Sequence, residues 1–175
     1  VTGVQTCALP ILKTPMPEAA KKLVVLNVNQ VEEVAAQVDF VFSAVDMSKD
    51  EIRAIEEAYA KAEVPVVSNN SAHRWTPDVP MMVPELNPEH AEIIPYQRKR
   101  LGTKRGFIAV KPNCSIQSYT PALHALREFE PTLVVATTYQ AISGAGKTFK
   151  DWPEMIDNVI PYIAGEEEKS EQEPL

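Results

Sequence analysis

The amino-acid sequence predicts an α/β protein built on a doubly wound parallel sheet. Two apolar runs, Asp39–Ala44 and Val64–Ser68, have the composition of strands in a sheet that is covered on both faces. The residues between the runs place apolar side chains at helical spacing. A strand, a helix and a second strand at this separation form a crossover unit, which makes the two strands parallel and the crossover right-handed.

Each element of this unit carries a local signal. Leu23–Leu26 is an apolar, β-branched run that predicts an earlier strand, and apolar residues recur at helical spacing over 31–38. Ser48 followed three residues later by Glu51 predicts a capping box at the start of the crossover helix. Pro65 lies near the start of the next strand, where the missing backbone donor is tolerated.

The most informative stretch runs from Phe107 to Gln117. It predicts a short strand, a break at Pro112-Asn113, and a helix over Ser115–Leu126 with Cys114 at its N-terminus. Unpaired backbone N–H groups and the helix dipole at such a position favour a thiolate, so Cys114 is the candidate nucleophile. The alternative is a small packing residue, because most free cysteines are inert. Leu133–Thr138 predicts one further strand.

Ligands of doubly wound sheets bind at the carboxyl ends of the strands. Ser43 and Ala44 end one predicted strand, and the loop from Ser68 to Arg74 follows the next. Hydroxyl, amide and guanidinium groups in such a loop can bind a phosphate, although the same residues also form ordinary turns. No glycine-rich G-x-G-x-x-G turn precedes Leu23, so the first βα unit of a dinucleotide-binding domain is not recognisable.

The bulk composition limits the function classes. The chain has 175 residues, of which 45% are hydrophobic and 23% charged, as in a soluble globular domain. A formal net charge of −7 argues against nucleic-acid binding. No apolar run has the length of a membrane span, so a cytoplasmic protein is expected. The cysteines and histidines show no metal-ligand spacing, and no metal site is expected.

Residues 1–12, which include Cys7, fit none of these patterns and resemble translated adapter sequence. We expect this segment to be non-native and exclude it from the fold. The remaining domains are expected over 13–113, as a partial dinucleotide-binding domain, and 114–175, as the start of a catalytic and dimerisation domain.

Five motifs in order resemble aspartate-β-semialdehyde dehydrogenases of the archaeal and fungal branch, from about Leu23 onward. They are Val67–Arg74, Val83–Pro88, Pro112–Ser115, Tyr139–Gly146 and Asn158–Lys169. The resemblance implies a Rossmann-like domain followed by an α+β catalytic domain. It also implies a homo-oligomeric, NADP-dependent enzyme of amino-acid biosynthesis (lysine, threonine and methionine) that converts β-aspartyl phosphate to aspartate semialdehyde and phosphate.

The resemblance also implies roles for individual residues. Cys114 would form a thioester and Gln140 would position the acyl group, while Asn113 precedes the nucleophile. Arg74 and Lys169 would bind the phosphate.

The other matched positions surround the substrate and the cofactor. Glu166 would hold the substrate ammonium, although an acidic run such as 165–173 otherwise predicts a solvated face. Ser43, Ala44, Ser143 and Gly144 would line the cofactor.

The family's phosphate-binding glycine loop, its substrate-carboxylate arginine and its histidine acid/base have no counterpart in this sequence. An incomplete chain with little turnover is therefore expected. Three other functions remain open: a malonyl-CoA reductase, which shares these motifs; an N-acetyl-γ-glutamyl-phosphate reductase, in which different residues flank the cysteine; and a non-catalytic nucleotide-binding module.

Overall fold

The structure, a computed structural model, describes residues 15–174. The segment predicted to be non-native, with Cys7, lies outside these residues. The strands are β1 (Val41–Ser43), β2 (Val66–Ser68) and β3 (Ile108–Val110). The α-helices are α1 (Glu18–Lys21), α2 (Val31–Ala35), α3 (Lys49–Lys61), α4 (Ile94–Leu101), α5 (Cys114–Ala125) and α6 (Glu166–Gln172). Short 3₁₀ turns cover Pro88–Ile93, Arg127–Phe129, Ile142–Ala145 and Pro153–Met155.

The three strands form one parallel sheet in the order β1-β2-β3. Val66 in β2 is in register with Val41 on one side and Ile108 on the other. The helix α3 connects β1 to β2, and α4 precedes β3. Parallel strands joined through helices confirm the predicted α/β class.

The crossover helix α3 begins where the sequence predicts. The Ser48 hydroxyl accepts a hydrogen bond from the Glu51 backbone N–H at 3.3 Å, and the Glu51 carboxylate accepts one from the Ser48 N–H at 3.0 Å. This reciprocal pair satisfies two backbone donors that the first turn would otherwise leave free. Farther along, the Tyr59 hydroxyl donates to the Val28 carbonyl at 2.8 Å and ties the helix to the segment before α2.

The core lies between α3 and one face of the sheet. Its buried members are Val34, Tyr59, Ala60, Val64, Val66, Val79, Ile108 and Val110. The opposite face differs from the expectation of a sheet covered on both sides. Phe42 and Val67, which are neighbours in register on that face, are exposed, and 76% of Phe42 is accessible. Burial therefore alternates along the strands, as it does in a sheet packed on one face.

Gln97 in α4 completes the hydrogen bonding of β3. Its buried side-chain amide accepts a hydrogen bond from the Ile108 N–H at 2.6 Å and donates to the Ile108 carbonyl at 2.9 Å. Next along the strand, Val110 donates to the Pro80 carbonyl at 2.9 Å and accepts from the Met82 N–H at 2.8 Å. These contacts satisfy the outer edge of the strand that leads into the cysteine turn.

Two predicted strands are wrong within the described residues. Leu23–Leu26 and Leu133–Thr138 have no strand structure, and no strand follows β3 as far as residue 174. Leu23, Val24 and Leu133 are exposed. Apolar, β-branched composition favours a strand only when a neighbouring backbone can pair with it and a packed surface can cover it, and here neither condition is met.

The loop before β3 packs closely against α3 at Gly106. A Cβ atom added there would lie 1.8 Å from the Ala60 carbonyl oxygen. Because backbone must move to relieve this clash, we expect Gly106→Ala to lower the free energy of unfolding by about 3 kcal/mol. Urea unfolding measures the change. As a control, Gly144→Ala adds a Cβ with nothing within 4 Å, so a loss as large in that variant would contradict the explanation.

Candidate active site

The turn after β3 presents the candidate nucleophile at a helix N-terminus. Helix α5 begins at Cys114, and Asn113 is its N-cap residue, whose side-chain oxygen accepts a hydrogen bond from the Ser115 N–H at 3.3 Å. The Cys114 thiol is exposed and donates to the same Asn113 oxygen at 3.2 Å. Asn113 therefore caps the helix and orients the thiol at once. The predicted strand, break and helix are all present, with Pro121 inside the helix.

Glu166, at the start of α6, gathers four donors beside this turn. One carboxylate oxygen accepts from the Asn113 amide at 2.7 Å and from the Lys169 ammonium at 3.1 Å. The other oxygen accepts from the Gln140 amide at 2.9 Å and the Ser115 hydroxyl at 3.2 Å. We call these five residues the Glu166 cluster. It brings together four residues singled out in the sequence, namely Asn113, Gln140, Glu166 and Lys169.

The surroundings of Glu166 keep it ionised. Burial alone would raise the pKa of its carboxyl group, but hydrogen bonds from Gln140, Asn113 and Lys169, together with the charge of Lys169, outweigh burial. The result is a pKa of about 2, below the ordinary value of 4.5. A fixed negative charge next to the cysteine turn suits the binding of a cationic group.

The low pKa of Glu166 predicts a specific acid sensitivity. Since the folded-state pKa lies below the unfolded-state value, this carboxylate stabilises the fold above about pH 4.5 and loses that contribution as the pH falls towards about 2. The loss is at most about 3 kcal/mol. Unfolding free energies measured across this range should fall more steeply for the wild type than for Glu166→Gln. Glu63, whose pKa is also about 2, titrates in both proteins and contributes equally to the two slopes. Identical slopes would therefore mean that Glu166 adds nothing, which would contradict the assignment.

Arg74 lies beside the cysteine turn and is largely buried. Its Nε donates to the Lys111 carbonyl at 3.1 Å, and its Nη1 pairs with a Glu173 carboxylate oxygen at 3.0 Å. The second Glu173 oxygen accepts from the Asn113 backbone N–H at 2.6 Å. The pKa of the neighbouring Lys111 is lowered, chiefly by burial and then by the charge of Arg74. Two cationic side chains therefore lie near each other beside the turn that carries Cys114.

Glu173 was not identified from the sequence. The only signal available was a carboxylate four residues after Lys169, which is one helical turn farther along, within a run where acidic residues are frequent. Its partners come from distant parts of the chain, so no local pattern could single it out.

A second buried carboxylate, also missed in the sequence, supports the loop that carries Arg74. Glu56 in α3 accepts hydrogen bonds from the Ser68 hydroxyl at 2.6 Å and the Asn70 amide at 3.2 Å. The Asn70 amide also donates to the Ser43 hydroxyl at 3.2 Å. This network joins the carboxyl ends of β1 and β2 to helix α3. The loop is therefore an anchored structure and not a free turn.

The residues expected to line a cofactor lie in two separate places. Ser43 is buried at the carboxyl end of β1, and Ala44 after it is exposed. Ser143 and Gly144 lie on the surface in the 3₁₀ turn Ile142–Ala145. Within residues 15–174 no hydrogen bond joins that turn to β1. Gln140, two residues before the turn, donates a hydrogen bond to Glu166 and connects this segment to the Glu166 cluster.

The described part of the chain has neither a metal-binding cluster nor a membrane-spanning helix. No group of three or more histidine, cysteine, aspartate or glutamate side chains there could hold a metal ion. No helix over the same residues is long and apolar enough to cross a membrane.

Comparison with protein families gives a match over residues 9–94 to the model described as "Semialdehyde dehydrogenase, NAD binding domain". The match includes the last four residues of the segment predicted to be non-native, and that prediction remains untested. Among curated relatives, aspartate-semialdehyde dehydrogenase of Cryptococcus neoformans is 41% identical over 164 residues, which are 93% of this chain and 44% of the relative. The enzyme of Archaeoglobus fulgidus is 39% identical over 165 residues, with 94% of this chain and 46% of the relative covered.

The fold is also similar to that of an aspartate semialdehyde dehydrogenase. The crystal structure of aspartate semialdehyde dehydrogenase with NADP from Candida albicans superposes with a TM-score of 0.71 at 36% identity, covering 91% of this chain and 44% of that one. The three-stranded parallel sheet therefore corresponds to part of a Rossmann-like NAD-binding domain. The chain spans slightly less than half the length of the relatives it matches.

Proposed function

Because this chain belongs to the aspartate-semialdehyde dehydrogenase family, we propose that the protein interconverts β-aspartyl phosphate and aspartate semialdehyde plus phosphate, with NADP(H) as redox partner. The observation that carries the proposal is the position of the Cys114 thiol. It is exposed at the N-terminus of α5, in a turn that Glu166 contacts through Asn113 and Ser115. Arg74 reaches the same turn through the Lys111 carbonyl and through Glu173.

The first chemical step uses Cys114. Once the exposed Cys114 thiol has lost its proton to water, its sulfur attacks the acyl carbon of β-aspartyl phosphate, the bond from that carbon to the phosphate oxygen breaks, and phosphate leaves with the electron pair. Arg74 and Lys111 lie where they can offset the charge of the leaving phosphate.

The Glu166 cluster positions the rest of the substrate. The Gln140 amide donates to Glu166 at 2.9 Å and to the Thr138 hydroxyl at 3.3 Å, and it can turn the second of these N–H groups towards the acyl oxygen. The ionised Glu166 carboxylate can receive the substrate ammonium, and Lys169, which now pairs with Glu166 at 3.1 Å, can reach the phosphate. In this proposal the cluster has two functions, because the contacts that fix the cysteine turn also define the substrate site.

Two separate parts of the chain supply the residues of the proposed dinucleotide site, the carboxyl end of β1 and the 3₁₀ turn Ile142–Ala145. Ser43 supplies a hydroxyl, Ala44 is small and exposed, and a Cβ added at Gly144 would have open space around it. We propose that Ser43, Ala44, Ser143 and Gly144 would hold the dinucleotide, whose reduced form, NADPH, would supply the hydride that reduces the thioester. The segment that carries Ser143 and Gly144 is linked to the nucleophile turn by the hydrogen bond from Gln140 to Glu166.

The proposal also concerns the cellular location, the oligomeric state and the binding partners of the enzyme. We infer that it acts in the cytoplasm on small molecules as a homo-oligomer, and that it does not bind nucleic acid. The family relationship supports the first part, and the net charge of −7 supports the second.

A substrate comparison tests the function directly. The full-length protein that carries this chain should reduce NADP with aspartate semialdehyde only when inorganic phosphate is present. Malonate semialdehyde with coenzyme A is the comparison, since a CoA-dependent reductase would use the same thiol and cofactor. NADP reduction that requires coenzyme A and ignores phosphate would overturn the proposal in favour of that second reaction.

A further inference from the structure

Glu173 connects three parts of the proposed site. Its two carboxylate oxygens are used by different partners, Nη1 of Arg74 at 3.0 Å and the backbone N–H of Asn113 at 2.6 Å. Only 1% of the Glu173 side chain and 8% of the Arg74 side chain are exposed. A single carboxylate therefore joins the loop after β2, the turn before Cys114 and the end of α6.

The contacts of Arg74 define the direction of its guanidinium group. Nε is held by the Lys111 carbonyl at 3.1 Å and Nη1 by Glu173, so two acceptors on the rigid scaffold fix the plane of the group. Nη2 has no hydrogen-bond partner within the described part of the chain. A guanidinium fixed in this way has a donor edge left for a ligand oxygen.

Glu173 itself is built into the scaffold. Since one of its oxygens is bound to a backbone N–H and the side chain is almost fully buried, it is not a mobile group that occupies the anion site temporarily. Its charge also offsets the two neighbouring cations, Arg74 and Lys111, which would otherwise repel each other in a poorly solvated position.

We propose that Glu173 is a positioning residue for the reaction proposed above. Its carboxylate orients Arg74 towards the phosphate and fixes the Asn113 turn that carries the nucleophile. The inference rests on the proposed function, because it takes Arg74 as a phosphate ligand. Glutamine has a single side-chain acceptor oxygen, so Glu173→Gln cannot keep both contacts.

The test measures protection of the thiol by phosphate in the 175-residue chain. Iodoacetamide modification of Cys114 is followed by mass spectrometry of its peptide at increasing concentrations of inorganic phosphate. In the wild type, phosphate should slow modification to a plateau, and Arg74→Lys should abolish most of this protection. In Glu173→Gln, the half-protecting phosphate concentration should rise about tenfold, since a charge-assisted contact is lost.

The matched control is Glu171→Gln. It makes the same change of charge on the same helix, but Glu171 is exposed, and its half-protecting concentration should equal that of the wild type. Thermal unfolding verifies that each variant is folded. If Glu173→Gln does not fold, Glu173→Asp takes its place, because it keeps the charge and both acceptors on a shorter side chain and should weaken protection by a smaller factor.

The possible outcomes separate the two proposals. If phosphate protects the wild type and Glu173→Gln equally, or protects the variant at lower concentration, the positioning role is wrong while the phosphate site stands. A lower concentration would mean that Glu173 competes with phosphate for Arg74. If phosphate does not protect the wild type at all, the proposed phosphate site is wrong and the role of Glu173 is overturned with it.

Discussion

Replacing Cys114 by serine is expected to lower phosphate-dependent NADP reduction by the full-length protein at least about 10³-fold. The change removes the one atom that forms the thioester and leaves the surrounding contacts intact. A serine hydroxyl at the same helix N-terminus can still donate to the Asn113 side chain, so the turn should keep its conformation. Steady-state rates with aspartate semialdehyde, phosphate and NADP measure the loss.

The protein assayed keeps residues 1–12, so Cys7→Ser is the matched control for this experiment. It makes the same chemical change at the other cysteine of the chain, and the rate should not change. Retention of more than a tenth of the rate in Cys114→Ser, or an equal loss in both variants, would show that Cys114 is not the nucleophile.

The second large effect is expected at Glu166. Its two oxygens accept four hydrogen bonds, two each, whereas the amide of Glu166→Gln offers one acceptor oxygen and carries no charge. We expect kcat/KM for aspartate semialdehyde to fall about 10²-fold, because both the ammonium site and the orientation of Gln140 and Asn113 are lost. The initial rate at low substrate concentration gives this ratio directly.

Glu168→Gln provides the comparison on the same helix. Glu168 is exposed in α6, and its replacement should leave kcat/KM within about twofold, as expected for a surface position. Similar losses in the two variants would mean that the total charge of the acidic helix matters, and not the contacts made by Glu166.

Local signals predicted the part of the fold that precedes the site. The capping box at Ser48 and Glu51 marks the start of α3, and the apolar runs Asp39–Ala44 and Val64–Ser68 contain neighbouring parallel strands. The same holds for Cys114, whose position follows from a strand, a Pro-Asn break and a helix. In each case the information lies within a few residues of the element.

Features that depend on distant partners were not predictable in this way. Leu133–Thr138 has strand composition, but it finds no neighbouring strand within the described residues. Glu56 and Glu173 are buried acidic residues, which composition alone assigns to the surface. The burial of Glu56 is explained by its contact with Ser68. The burial of Glu173 is explained by its contacts with Arg74 and the Asn113 backbone.

The most direct test of the account is whether Cys114 accepts an acyl group from an acyl phosphate. The 175-residue chain is incubated with β-aspartyl phosphate, and its peptides are analysed by mass spectrometry before and after treatment with hydroxylamine, which cleaves thioesters. We expect an acyl group on the Cys114 peptide that hydroxylamine removes, with release of an equal amount of phosphate, and no such group in Cys114→Ser. Phosphate release without an adduct, or acylation of Cys7 to the same extent as Cys114, would contradict it.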